Sequence, residues 1–218
     1  MKKVLFLVTL IILLLTLVPF DVKASKICFG VKGGMNMSDI TGEDVELLEE
    51  SLNLDLGIKM GMVGGIFLEL GLTDMLGVQI EVLYSSKGSK GEFEFLGVEG
   101  DMAFNLSYID IPILLKFKIP IEGPIEPELF IGPSLGYNLS SEIVVEAEGE
   151  KETEDLGDET KSIDFGLEFG GGVGYNLGGG KIIIDARYVL GLTSISEYED
   201  EEIKNTNISI RLGYAFPL

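Results

Sequence analysis

The chain has 218 residues, a net charge of −20 and 46% hydrophobic residues. The acidic surplus excludes a nucleic-acid-binding protein, which needs a basic surface, and the hydrophobic share excludes an acidic disordered chain. With no histidine and one cysteine, Cys28, the sequence lacks the usual His- or Cys-based metal and catalytic sites and any internal disulfide.

The first segment reads as an export signal. Two lysines precede an apolar run over 4–18, and Val22-Lys23-Ala24 follows as a small-residue cleavage pattern. We expect a cleavable signal peptide over 1–24 and one β-barrel domain over 25–218. An uncleaved anchor is an alternative, but the run is shorter than the ~20 residues needed to span a bilayer. A lipoprotein modified at Cys28 is another, but Ile27 stands where a small residue is needed.

Beyond the signal, hydrophobicity alternates with a period of two residues. This period predicts eight strands, over 27–37, 60–72, 76–87, 106–120, 127–139, 162–177, 181–192 and 205–216. Each strand has one bulky apolar face and one small, polar or charged face. In the last strand, Ile208, Ile210 and Leu212 share a face that opposes Arg211. Pro112 removes a ladder donor from the fourth strand, so we expect a local bulge there.

The connections between these strands alternate in length. Long ones are predicted over 38–59, 88–105, 140–161 and 193–204, and short ones at 73–75, 119–126 and 178–180. The long ones hold most carboxylates, with seven acids in 38–57 and nine in 140–161. Short periplasmic turns and long outer loops are typical of outer-membrane barrels. Within the first loop, 43–54 is a candidate amphipathic helix with Val45, Leu48 and Leu52 on one side.

The polar face indicates which side is inside. A membrane barrel exposes its apolar face to lipid, whereas a soluble lipocalin-like barrel, the alternative, buries it. Small residues suit a narrow lumen, and the polar face carries Gly132, Gly136, Gly166, Gly170, Gly172 and Gly174. Charges of both signs on that face predict a structural lumen network of Lys32, Glu69, Glu81, Asp110, Lys116, Glu128, Asp164, Glu168, Asp185, Arg187 and Arg211.

Tyrosines complete the membrane pattern. Aromatic residues form girdles at membrane interfaces, and we assign this role to Tyr84, Tyr137, Tyr175, Tyr188 and Tyr214. The predicted fold class is therefore all-β: an eight-stranded antiparallel up-and-down transmembrane β-barrel with long acidic external loops. Its predicted location is the bacterial outer membrane.

Several segments resemble a known family. Residues 108–119, YIDIPILLKFKI, resemble the Tyr-aliphatic-acid-Ile-Pro signature of PorT-like outer-membrane β-barrel proteins. Residues 29–38, 130–137 and 185–195 are similar to that family's first, fifth and seventh strands. The resemblance implies a small barrel over nearly all of the mature chain. The founding member assists protein secretion, but most relatives have no assigned role, and the chain ends Phe216-Pro217-Leu218 rather than on the terminal aromatic that the insertion machinery often reads.

Other motifs have structural interpretations. Asp110 and Lys116 lie ~20 Å apart along one strand at ~3.3 Å per residue, too far to form one catalytic pair. Residues 155–160 imitate a calcium loop but lack its spacing. The glycines of 170–180 lack the lysine and helix of a phosphate loop.

We therefore predict a non-enzymatic envelope protein with a filled lumen, acidic surface loops and a structural or binding role. It needs no cofactor and no metal. The alternatives are a secretion accessory and a narrow pore. Expected partners are outer-membrane lipid or lipopolysaccharide and envelope or secretion proteins, with no nucleic acid, and the expected state is a monomer.

Overall fold

The computed structural model describes residues 27–52, 54–95, 98–198 and 201–218. The predicted signal peptide and residues 25–26 lie outside these ranges. The described elements, in chain order, are β1 (Ile27–Thr41), α1 (Glu43–Leu52), β2 (Leu54–Gly71), β3 (Leu76–Phe95), β4 (Val98–Lys118), β5 (Ile125–Ala147), β6 (Glu150–Asp155), β7 (Ile163–Asn176), β8 (Lys181–Gly191) and β9 (Lys204–Pro217).

Eight of these strands close into a ring. All neighbouring pairs are antiparallel, and β1 closes the ring by pairing with both β2 and β9. On the other side, β4 pairs with β5, and the first half of β5 pairs with β7. β6 stands apart, because it pairs only with the second half of β5 among the described residues. The predicted eight-stranded antiparallel barrel is confirmed.

The alternation of side chains sets the inner and outer faces. In β9, Ile208, Ile210 and Leu212 are 44%, 55% and 59% exposed, whereas Arg211 between them is 2% exposed. The same alternation holds in β8, where Asp185 is buried beside the outward Ile184. Bulky aliphatic side chains therefore cover the outside of the barrel and charged ones fill its inside, as a bilayer requires.

The strands continue far past their predicted ends on one side of the barrel. The β3–β4 hairpin runs through the expected loop at 88–105, with Phe95 opposite Val98. The expected loop at 140–161 instead holds the end of β5 and all of β6. These loop predictions were wrong because charged residues interrupt the apolar pattern there, although the backbone ladder continues without needing apolar side chains.

The turn between β5 and β6 explains that hairpin locally. Glu148 and Gly149 both have positive φ, 53° and 84°. Two consecutive residues of that kind make a two-residue turn whose twist matches that of a β-hairpin. Gly149 adopts this conformation at little cost, whereas Glu148 is strained there.

The bulge predicted at Pro112 is absent from the described strands. Asp110, Pro112 and Leu115 pair with Gly136, Ser134 and Ile131 in one continuous register. The register shift of this strand pair lies instead at Ser107/Tyr108. Pro112 points into the lumen and is fully buried, and the ladder skips pairs beside it without changing alignment. The lost donor therefore interrupts the ladder without inserting a residue.

The two ends of the barrel differ. The short-turn end, with connections at 72–75, 119–124 and 177–180, also holds the start of β1 and the end of β9. The long-loop end holds α1, the β3–β4 and β5–β6 hairpins, and the connections at 156–162 and 192–203. Within the described ranges, no helix is long and apolar enough to cross a membrane.

Candidate functional site

The middle of the lumen holds a closed cluster of ion pairs, here called the central tier. Its members come from five strands, and none has a side chain more than 2% exposed. They are three cations and three carboxylates, Lys32, Arg187, Arg211, Glu81, Glu168 and Asp185. Equal numbers of opposite charges make the tier neutral, which offsets the cost of burying them.

Arg187 is the hub of the central tier. Its Nε lies 2.7 Å from Asp185, its Nη2 2.9 Å from Glu81 and its Nη1 2.5 Å from Glu168. The guanidinium also lies over the Phe130 ring, 4.7 Å from its centroid. A planar group with five donors serves three carboxylates at once in a way that a lysine ammonium does not.

Lys32 and Arg211 complete the central tier around Glu81. Lys32 Nζ lies 2.8 Å from Glu81 and 3.2 Å from Asp185. Arg211 Nη1 lies 3.4 Å from Glu81 and 3.4 Å from Glu168. Glu81 therefore faces all three cations of the tier.

A lower tier fills the lumen near the short-turn end. Lys116 Nζ lies 2.8 Å from Glu69 and 2.7 Å from Glu128 and donates a hydrogen bond of 2.9 Å to Gln79. Lys118 joins from the rim, with Nζ 2.5 Å from Glu69. The lower tier thus links β2, β3, β4 and β5.

An upper tier lies towards the long-loop end. Lys87 Nζ is 2.9 Å from Asp110, a partner outside the cation set that the sequence suggested. Asp164 was expected to meet a cation, but it accepts a hydrogen bond of 3.1 Å from Asn205, whose amide also donates to the Tyr108 hydroxyl at 3.1 Å. A cavity of about 10 Å³ lies here, roughly the room that one water needs.

The lumen glycines leave space for these larger neighbours. A Cβ on Gly136 would lie 3.1 Å from Asp110 Oδ1. One on Gly170 would lie 2.2 Å from the Ala186 carbonyl oxygen and 2.9 Å from the Phe130 ring. A side chain is excluded at Gly136 by neighbouring lumen side chains and at Gly170 by the backbone of β8 together with the Phe130 ring.

Above the polar tiers, the long-loop end is closed by apolar side chains, here called the mouth cluster. Its members are Ile40, Val45, Leu106, Tyr108 and Ile195, with Leu56, Phe104 and Ile203 packed against them. Val45 belongs to α1, so the predicted amphipathic helix is present and packs its apolar side onto the barrel. The mouth cluster was missed, since the predicted strands ended short of Ile40 and the loops were expected to be solvated.

A cavity of about 190 Å³, here called the mouth cavity, opens within this cluster. Its walls come from α1, from Phe104 and Leu106 on the inner face of β4, from Ile40 of β1 and Leu56 of β2, and from the connections at 156–162 and 192–203. Backbone contacts tie these connections together, because Lys161 N donates to Ile195 O at 2.7 Å and Ile195 N to Ile203 O at 2.8 Å. The carboxylate of Asp44 accepts a 2.6 Å hydrogen bond from Glu202 N, which ties α1 to the same loop.

The predicted girdle tyrosines are distributed over the outer surface. Tyr84, Tyr137 and Tyr175 are exposed, and Tyr188 and Tyr214 are half-buried. Tyr84 and Tyr137 both pair with Ile109 and so lie in one row across β3, β4 and β5. Tyr175 and Tyr214 lie next to the short turns, where Tyr214 packs edge-on against Phe216 at 4.7 Å.

All eleven residues predicted for the lumen network are buried, and the structure adds Lys87, Gln79 and Asn205 to it. Alternation contained the signal for these additions, because Lys87 and Gln79 share the inward face of Glu81 and Asn205 that of Arg211. They were missed because Gln79 and Asn205 are uncharged amides and Lys87 is the last residue of the predicted strand 76–87, so none of them stood out as a member of an ion network.

The barrel and its polar lumen agree with a family comparison. The protein-family model for the "Outer membrane protein beta-barrel domain" matches residues 22–197 of the chain. The chain belongs to the outer membrane protein beta-barrel domain family. It is accordingly a protein of the bacterial outer membrane, as the sequence predicted. The search of curated proteins finds no significant match for this member of the family.

Solved structures of three bacterial proteins are similar in fold to this outer membrane barrel. Neisserial surface protein A (NspA) aligns at 13% identity over 85% of this chain and 95% of its own, with a TM-score of 0.42. Ail, the attachment invasion locus protein of Yersinia pestis, aligns at 15% identity over 87% and 98%, with a TM-score of 0.40. The outer membrane protein OprG from Pseudomonas aeruginosa aligns at 11% identity over 88% and 94%, with a TM-score of 0.43.

Proposed function

We propose that this protein is a non-conducting outer-membrane barrel whose long-loop end faces the outside and serves as a binding surface. The observation that carries the proposal is the stack of three buried tiers. Together they take charged or amide side chains from all eight barrel strands across the lumen. An eight-stranded barrel has an interior that side chains just fill, and here those side chains are cross-linked by ion pairs.

Two further features support a binding role rather than catalysis. The sequence has no histidine, and the buried carboxylates are engaged by cations or amides instead of lining an open cleft. The long-loop end concentrates acidic residues, with nine in 140–161 alone. The apolar outer face fits a monomer that contacts outer-membrane lipid and lipopolysaccharide directly.

Conductance tests the closed lumen. The refolded protein should give no ion-sized current steps in planar bilayers, whereas a Lys32→Ser/Glu81→Ser variant, which removes one neutral pair, should give small steps. The variant is the matched control, because its steps show that barrels inserted. Steps of the same size from the wild type would contradict the proposal and favour the narrow-pore alternative.

Labelling of intact cells tests the orientation. In a Cys28→Ser background, Thr153→Cys on β6 should react with a membrane-impermeant maleimide, and Gly179→Cys at a short turn should react only after lysis. Both residues lie in exposed positions, so accessibility to the reagent is limited only by the membrane. Reaction of Gly179→Cys in intact cells would reverse the proposed orientation.

The proposal includes membership of the PorT-like group. It does not include the secretion role of that group's founding member. The signature residues Tyr108, Asp110, Pro112 and Lys116 all point into the lumen, where three of them bond to other strands. Residues with such internal partners account for the motif by packing alone, without any secretion partner. Copurification of the wild type with secretion components, lost on removing β6 but kept in lumen variants, would favour the accessory role instead.

A further inference from the structure

The mouth cavity is an apolar space at the long-loop end, and described residues line it. Its walls are mainly aliphatic, with Val45, Leu48, Leu156 and Ile195 among them and the Phe104 ring on one side. A volume of about 190 Å³ is in the range of apolar cavities, ~150 Å³, that take up a single benzene-sized ring. It is too small for a peptide segment or an acyl chain of membrane length.

The rim of the cavity is acidic. Asp44, Glu159 and Glu201 line it together with Tyr198. Glu201 accepts a 2.6 Å hydrogen bond from Ser196, and Asp44 accepts one from Glu202 N, so both carboxylates are held at the rim. Glu159 is exposed. Carboxylates around an apolar opening repel anionic amphiphiles and attract cationic ones.

We propose that the mouth cavity binds a small amine with one aromatic ring or a branched aliphatic body, its apolar part inside and its ammonium group at the rim. This proposal rests on the proposed function only in that the cavity must open to the outside. Leu106 lines the cavity and packs in the same cluster as Tyr108, and the Lys87 ammonium of the Lys87–Asp110 pair lies 4.7 Å from the Tyr108 ring. These side chains separate the cavity from the lumen.

Binding can be measured with two probes of matched size and opposite charge. The full protein in lipid nanodiscs, with labelled isoleucine, leucine and valine methyl groups, is titrated with phenethylamine and with phenylacetate. Phenethylamine should shift the methyl signals of Ile40, Val45 and Ile195 saturably, with a dissociation constant of ~1 mM for a ligand of this size. Phenylacetate should bind about fivefold more weakly, the effect of one exposed ion pair.

Two variants on α1 give the structural control. Leu48→Trp fills the cavity and should abolish the saturable shifts, whereas Leu47→Trp, at a neighbouring position that is 62% exposed, should leave them unchanged. Equal binding of both probes, shifts that persist in Leu48→Trp, or no saturable shift in the folded wild type would each overturn the proposal. Conductance and labelling of the same preparation report on the closed lumen and the orientation separately, so the two proposals fail by different measurements.

Discussion

The central tier and the mouth cluster close the same barrel by opposite means. In the central tier, six charged side chains are buried and neutralise each other. In the mouth cluster, apolar side chains from β1, β4, α1 and the loop at Ile195 pack together above them. A charge cluster is sensitive to losing one partner, whereas an apolar cluster loses stability in proportion to the volume removed. A single substitution should therefore lower the free energy of unfolding more in the central tier than in the mouth cluster.

Removing the hub of the central tier should have the largest effect. Arg187→Met leaves Glu81, Glu168 and Asp185 with two cations instead of three, and we expect a loss of ~3–5 kcal/mol in the free energy of unfolding. Urea-induced unfolding from lipid vesicles measures this. The control is Lys204→Met at the exposed pair with Glu202, with an expected loss below ~1 kcal/mol. Similar losses in the two variants would contradict the expectation that the central tier is sensitive to the loss of one partner.

The upper tier offers a pairwise version of the same test. Lys87→Met alone should cost ~3 kcal/mol because it leaves Asp110 buried without its cation. Adding Asp110→Leu should restore ~2 kcal/mol of that loss, since the two residues act as a unit.

The matched control for this cycle combines Asp110→Leu with Lys116→Met, which belongs to the lower tier. Residues this far apart should have additive effects to within ~0.5 kcal/mol. Additivity in the Lys87–Asp110 cycle as well would mean that the ion pair does not govern stability.

The mouth cluster should respond more mildly. Leu106 is 3% exposed, and Leu106→Ala should cost ~2 kcal/mol, the low end for buried leucine, because the mouth cavity beside it is already open. Leu47→Ala on the exposed side of α1 should change stability by less than ~0.5 kcal/mol. A loss for Leu106→Ala as large as that for Arg187→Met would remove the contrast between the two regions.

The smallest expected effect lies at the β5–β6 turn, which belongs to neither the central tier nor the mouth cluster. Glu148→Asn should stabilise this hairpin by ~1 kcal/mol, because asparagine tolerates a positive φ better than glutamate. Gly149→Ala should weaken it, since its φ of 84° suits glycine. Hydrogen exchange of the β6 amides measures both, and unchanged β6 protection in either variant would argue against a strained turn. Neither change should alter exchange in the tiers.

The sequence by itself determined the barrel, the strand order and the inward face. Alternation along the strands is a local property, so one strand alone placed Arg211 on the face opposite Ile210 and Leu212. The glycines and the mixed charges of that face in several strands indicated that it points inward, and Arg211 is buried. The connection lengths determined which end carries the acidic loops in the same way.

Only the tertiary structure decided which charges meet and how the barrel closes. Strand stagger brings Lys87 rather than Arg211 to Asp110 and gathers three carboxylates around Arg187, and stagger depends on ring closure. The mouth cluster likewise needs α1 and a distant loop folded over the same opening. The Glu81–Arg187, Lys32–Asp185 and Asp44–Glu202 contacts join residues more than a hundred positions apart. Such contacts are set by the closure of the ring and leave no periodic pattern in the sequence.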